Sequence, residues 1–313
     1  MTLLVSKSRS VALAVSAAFI LAGCTPQDDV DATRVTIVTT ESSLDHAAAL
    51  AVAEYVAQQD IEVSVEQHTA PEEVFLAVHE AAEPSSDHAR IGVVTAHQDP
   101  ASDETPLRIP ESVEIFNQAP AELALVPVTS TVTAAGFAAQ DDAEEPRAEL
   151  CQDQVWLHAH TPEQEMEEIS VALADVGCQP DFETVVLGDS EEYLGLAQRL
   201  TVEHDTVALL HEVDPMITDQ GLTTLEVATG RLPSSRVVAV GAPALEDPLT
   251  DHVGTVLDVL DSGAATSLLR GYHNAQTSTS DLAYETDHAI RYWLATHGLA
   301  DSDTVIDIST DNR

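Results

Sequence analysis

Apolar positions along this chain alternate between two periods, and the order of the periods predicts its architecture. Residues 34–39 (RVTIVT) form an unbroken run rich in β-branched residues, the pattern of a strand buried on both faces. Ser42 or Ser43 then caps a helix to about Gln58, with Leu44, Ala51 and Tyr55 on one face. Residues 61–67 (IEVSVEQ) alternate as a strand. Thr69 and Glu72 have the spacing of a capping box for a helix through Ala82, and residues 90–95 read as a third strand. A proline- and acid-rich stretch, 98–120, interrupts the rhythm. Residues 123–127 and 134–139 follow as two strands flanking the polar bend Val128-Thr129-Ser130-Thr131, and 140–150 reads as a charged surface loop.

A second alternating set comes next. Residues 155–158 form a strand. Thr161, Pro162 and Gln164 open a helix carrying Met166, Ile169, Leu173 and Val176 on one face, and Gly177 ends it. Strands at 182–187 and 206–210 enclose a helix capped by Asp189 and running to Leu200. A strand at 237–240 and three helices near 247–260, 264–272 and 281–297 close the chain. Strand and helix in alternation predict parallel sheets covered by helices. Two such sets, joined by two crossings, predict an α/β protein of two lobes. Ligands in such folds sit where strand carboxyl ends meet helix N-termini, and between domains.

The N-terminus lies outside this pattern. Lys7 and Arg9 precede an apolar stretch from Val11 to Leu21, which ends in Leu21-Ala22-Gly23-Cys24. A charged region, a short apolar region and small residues make an export signal, too short to span a membrane. It resembles a bacterial lipoprotein signal with its lipobox. That resemblance implies removal of residues 1–23, lipid on the Cys24 sulfur, and an extracytoplasmic protein anchored to the cell membrane. Residues 24–33, polar and acidic, would be the tether; an ordinary secreted protein is the alternative.

Charge narrows the partners. Net charge is −42; beyond the leader there are ten arginines, no lysine and all 54 acids, a net charge of −44. Such a field disfavours nucleic acid, whose binding rests on basic side chains neutralising phosphates. It also disfavours docking on anionic lipid through basic patches. The acids are spread along the whole chain, as expected of a surface kept soluble at high salt. Aromatics are only 4% of residues, so the core is built from aliphatic side chains. Outside the cytoplasm the remaining cysteines, Cys151 and Cys178, are most simply a disulfide, with two buried thiols as the alternative.

Catalytic motifs are few. No glycine-rich phosphate loop occurs, and a chain without lysine beyond its leader has no Walker-type site. Gly188-Asp189-Ser190 is similar to the motif of GDS-type lipases, but no Asp-x-x-His follows it, so Ser190 as the nucleophile of an exported hydrolase is a minor reading. His158 and His160 would share a strand face, half a zinc site with no further His or Cys nearby, and no metal or other cofactor is expected. His211, Glu212 and Asp214 follow an apolar strand, at a binding position of the fold, with a plain loop as the alternative.

Four segments carry a family resemblance over nearly the whole exported chain: 36–43 (TIVTTESS), 123–131 (LALVPVTST), 221–225 (GLTTL) ahead of 236–240 (RVVAV), and the closing helix 281–298 with Trp293-Leu294. In their order and spacing they resemble the substrate-binding lipoproteins of ABC importers for glycine betaine, choline and carnitine. The resemblance implies a two-lobed clamp of the type II periplasmic-binding-protein kind, each lobe a sheet covered by helices. Lobe one would be residues 32–130 plus 236–313 and lobe two 131–235, with both cysteines inside lobe two. It implies a small polar solute, a membrane permease as partner, and no catalysis. Ser42, Ser43, Thr129, Ser130 and Thr131 would bind the polar end of the solute. Thr95, His97, His211 and Asp214 would line the opposing walls, with Asp214 facing a cationic end. The family's tyrosine-rich turn falls at Val94-Thr95-Ala96-His97-Gln98, which holds no aromatic here. A binding-protein relic serving as envelope scaffold or sensor partner is the rival reading.

Overall fold

The computed structural model describes residues 34–301 apart from 82–87, 99–108, 139–150, 152, 160–162, 186–189, 204, 226–231, 244, 246 and 278–281. The leader, Cys24 and the tether, the charged loop at 140–150, and the caps assigned to Thr161, Pro162 and Asp189 lie outside the described residues. Among the described residues ten strands form two sheets linked through β10 and β5, and the helices cover them.

The first sheet has the order β2 (Glu62–His68), β1 (Arg34–Thr40), β3 (His88–Gln98), β10 (Ser234–Gly241). Its first three strands are parallel, and β10 runs antiparallel to β3. β1 is buried from Val35 onward, because helices cover both faces. On one face Val35, Ile37, Ile91, Val93, Val237 and Ala239 pack with α1 (Ser43–Ala57), α7 (Asp247–Leu257), α8 (Ser262–Gln276) and α9 (Leu282–Thr296). The alanines of α1 let it sit among these elements, so that most of its circumference is buried. On the other face Val38, Val94, Val238 and Val240 meet Val74, Phe75 and Val78 of α2 (Pro71–Ala81).

The second sheet holds β5 (Leu123–Thr129), β8 (Thr206–His211), β6 (Val155–Ala159) and β7 (Phe182–Val185), with the short β9 (Thr223–Thr224) on the other edge of β5. β6, β7 and β8 are parallel, and β5 opposes β8. Trp156, Leu125, Val207 and Leu209 pack with Ile169 and Leu173 of α4 (Glu163–Ala174) and with a disulfide between Cys151 and Cys178. Gly177, at φ 80°, ends α4 as expected, with the Cys178 N–H bonded back to the Leu173 carbonyl at 2.9 Å. Leu157, Ala208 and Leu210 face Leu196 and Leu200 of α5 (Ser190–Val202) and Met216 of α6 (Pro215–Asp219).

The two sheets join where the chain crosses: Leu123 and Ala124 of β5 pair with Ser235 and Ser234 of β10, and the Leu125 N–H donates to the Pro233 carbonyl at 3.2 Å. Beyond that point β5 turns to β8, while the rest of β10 pairs with β3 and with β4 (Glu114–Gln118). This is a two-lobed α/β fold with two crossover segments.

Three expectations are corrected. Residues 134–138 of the stretch expected as a strand are helical: they belong to α3 (Thr131–Ala138), started by the Ser130 hydroxyl, which accepts the Thr133 N–H at 3.2 Å. The alanines around Gly136 favour a helix once it is capped. The capping partner of Thr69 is Glu73, not Glu72; its carboxylate accepts the Thr69 N–H at 3.0 Å and the hydroxyl at 2.9 Å. The stretch 98–120 contains a strand, β4, on the edge that β10 presents beside β5.

Candidate functional site

Register locates the cleft. β10 begins at the crossing, and its first residues lie opposite Gln98 and His97, so β3 and the parallel β1 and β2 end there. In the second sheet Leu125, just past the crossing, lies opposite His211, so β8 and the parallel β6 and β7 end there too. The carboxyl ends of both parallel sets, and the N-termini of α1, α5 and α6, therefore face one another across the two crossing strands.

From the first lobe the site receives Asp45, His46 and Thr95. Asp45 is only 2% exposed, in the first turn of α1 on the face that carries Leu44 and Ala48. Its carboxylate accepts the Thr40 hydroxyl at 2.6 Å and the Thr95 hydroxyl. Burial pushes its pKa up to about 6, partly offset by these donors. The partners are hydroxyls and the Thr95 backbone, so the negative charge is bound but not neutralised. His46 Nδ1 and the Tyr272 hydroxyl of α8 are hydrogen-bonded at 2.9 Å, and burial holds His46 below the usual histidine range.

From the second lobe come Tyr193, His211 and Asp214. Asp214 accepts the Met216 N–H at 2.8 Å, capping α6, and the Tyr193 hydroxyl at 2.8 Å. Burial raises its pKa, and these two donors oppose the rise. The His211 ring bonds the Leu123 carbonyl at 3.3 Å, next to the crossing, and burial lowers its pKa. Tyr193 stacks on His273 of α8, with ring centroids 3.9 Å apart and planes 17° from parallel. Burial lowers the His273 pKa to about 4, so the ring is neutral at pH 7. His273 also meets Tyr272 edge-on at 5.9 Å, so His46, Tyr272, His273 and Tyr193 form a continuous row of rings from one lobe to the other.

The residues singled out in the sequence divide. Thr95 and Asp214 each hold a group of this row's surroundings, Thr95 through Asp45 and Asp214 through Tyr193. Ser42 is exposed at the N-cap of α1 without a capping bond from its side chain, and Ser43 is half-buried beside it. His97 lies opposite Ser235 at the crossing; its side chain is outside the described residues. Thr129 lies opposite Val207, at the start of β8 and so at the far end of the sheet from the cleft. Its hydroxyl donates to the Thr206 carbonyl at 2.6 Å, Ser130 caps α3, and Thr131 is exposed in the first turn. These three are not brought together with the others. His158 is buried, with Nε2 3.0 Å from the Thr184 hydroxyl; among the described residues no group of three His, Cys, Asp or Glu side chains is placed to hold a metal. Ser190 opens α5, and its side chain and the preceding Gly188-Asp189 are outside the described residues.

Sequence reasoning missed Asp45, His46, Tyr193, Tyr272 and His273. Asp45 did carry a signal: an acid next to Leu44 on an otherwise alanine- and valine-rich helix. The tyrosines and histidines carried none, since their helical spacing is also that of core residues.

No family model matches the sequence, and no curated protein matches it significantly. Solved structures do match. An ABC-transporter choline binding protein in complex with choline superposes with a TM-score of 0.58 at 13% identity, over 90% of this chain and 98% of its own. A glycine betaine/carnitine/choline ABC transporter protein gives 0.56 at 12%, over 85% and 99%. The lactococcal glycine betaine complex of OpuAC, closed and liganded, gives 0.55 at 12%, over 88% and 99%. The chain therefore has the fold of the type II periplasmic binding proteins. The resemblance to proteins that bind glycine betaine, choline and carnitine holds as a distant likeness of fold.

Proposed function

We propose that this chain is a lipid-anchored, extracytoplasmic solute-binding protein of an ABC importer, which closes two lobes over a small polar solute with a cationic end and delivers it to a membrane permease. The observation that carries this reading is the cleft itself: two sets of strand ends face each other across two crossing strands, with the buried Asp45 on one side and the half-buried Asp214 on the other. Asp45 and Asp214 supply negative charge held by hydroxyl and backbone donors rather than by a cation, which attracts the cationic end of a solute. Thr95, His97, His211, Ser42 and Ser43 complete the walls in this proposal, with the hinge between residues 32–130 plus 236–313 and residues 131–235. Anchoring rests on the Cys24 lipobox. The reading has no catalytic step, in keeping with binding proteins as the matched structures. No described helix is long and apolar enough to cross a membrane.

A thermal-melting screen against choline, glycine betaine, carnitine, amino acids and sugars tests it. A bound solute raises the midpoint by mass action, and a cationic solute gives the largest rise. No rise with any of them removes the transport reading. The relic reading would then stand, and one observation favours it: Tyr193 and His273 spend their ring faces on each other.

A further inference from the structure

Arg270 and His273 lie three residues apart on α8, on the side that faces α5 and α6. Arg270 makes a two-pronged contact with Asp219 at the end of α6: Nε to Oδ2 at 2.9 Å and Nη2 to Oδ1 at 2.8 Å. The same Nη2 donates to the Thr218 hydroxyl at 3.1 Å. One turn along, His273 stacks on Tyr193, which Asp214 holds by its hydroxyl. α8 packs in the core of the first lobe, through Leu268 and Leu269, whereas α5 and α6 pack in the second, through Leu200 and Met216. Both contacts therefore tie one lobe to the other away from the crossing strands.

We propose that the Arg270–Asp219 pair and the His273–Tyr193 stack form a latch that holds the two lobes closed without a solute. Resting on the two-lobe binding reading, the latch regulates its cleft: solute enters when the latch opens. The charge balance gives the pair its use. With ten arginines against 54 acids beyond the leader, both lobes repel each other, and a cation committed to the interface offsets that repulsion. The paired prongs fix orientation as a lysine would not. A surface pair of this exposure is weak alone, so the stack beside it supplies the rest of the hold.

Hydrogen exchange on the full chain, without any solute, tests the latch. In Arg270→Gln and in His273→Ala, amides at 42–46 and 211–219 exchange about tenfold faster, while 35–38 and 237–240 in the first sheet keep their protection. The charge swap Arg270→Asp with Asp219→Arg restores slow exchange at the cleft. Unchanged cleft exchange in both single variants overturns the latch, as does acceleration spread equally into the sheet, which marks general destabilisation. A failed solute screen leaves this result untouched, so the two readings fall separately.

Discussion

Asp45 carries most of the tension at the scale of single residues. A carboxylate this deep is costly to ionise, and its donors, the Thr40 and Thr95 hydroxyls and the Thr95 backbone, carry no charge. Its folded pKa, about 6, exceeds its ordinary value, so its contribution to stability is complete below about pH 4 and is lost as pH rises through about 6. The buried histidines act in the opposite sense, His273 losing stability as pH falls from about 6.5 towards 4. Asp45→Asn isolates the carboxylate: relative to wild type, the variant should gain up to about 3 kcal/mol between pH 4 and pH 7, one pKa unit being worth about 1.4 kcal/mol. Urea unfolding at a series of pH values measures this, and a constant difference would contradict the assignment. Gly92 is a second residue without slack. A Cβ there would lie 2.5 Å from Val240 Cγ2 and 2.8 Å from Val74 Cγ1, between β3, β10 and α2. Gly92→Ala should destabilise by about 1–3 kcal/mol, read as a lower denaturant midpoint.

At the scale of elements, how readable a segment was depended on how many of its determinants were local. β1, α1, α4 and the three closing helices were legible because unbroken apolar runs, helical faces and Gly177 each act within a few residues. α3 was misread because the apolar run 134–139 follows a polar bend as a strand would, and one side chain, Ser130, starts a helix there instead. Ser130→Ala should cost about 1 kcal/mol and loosen α3, with faster amide exchange at 131–138 as the check. β4 was hidden because its reason for pairing is the open edge of β10, more than a hundred residues away in sequence. The site suffered in the same way. The polar bend 128–131 looked like a binding turn, but strand direction places its end away from the cleft, and direction is set by β8. The rings that do meet across the cleft lie on α1, α5 and α8, and only the packed molecule brings those helices together.

At the scale of the whole molecule, two crossing strands are the economical solution for two sheets on one chain: each crosses once, and among the described residues pairing across the joint falls at 123–125 and 233–235. The Cys151–Cys178 bond lies wholly beside the second sheet and constrains that half alone. Replacing both cysteines by alanine should lower stability by about 3 kcal/mol in the chain-entropy account, while leaving solute affinity and lobe closure as they are. A change in affinity would mean that the bond also shapes the cleft. The account's central claim is that both halves hold one cationic solute between them. Calorimetric titration of choline into wild type, Asp45→Asn and Asp214→Asn tests it most directly. The account predicts one site per chain and a loss of about tenfold or more, about 1.4 kcal/mol, from either substitution. Absence of saturable binding, or binding indifferent to either substitution, would contradict it.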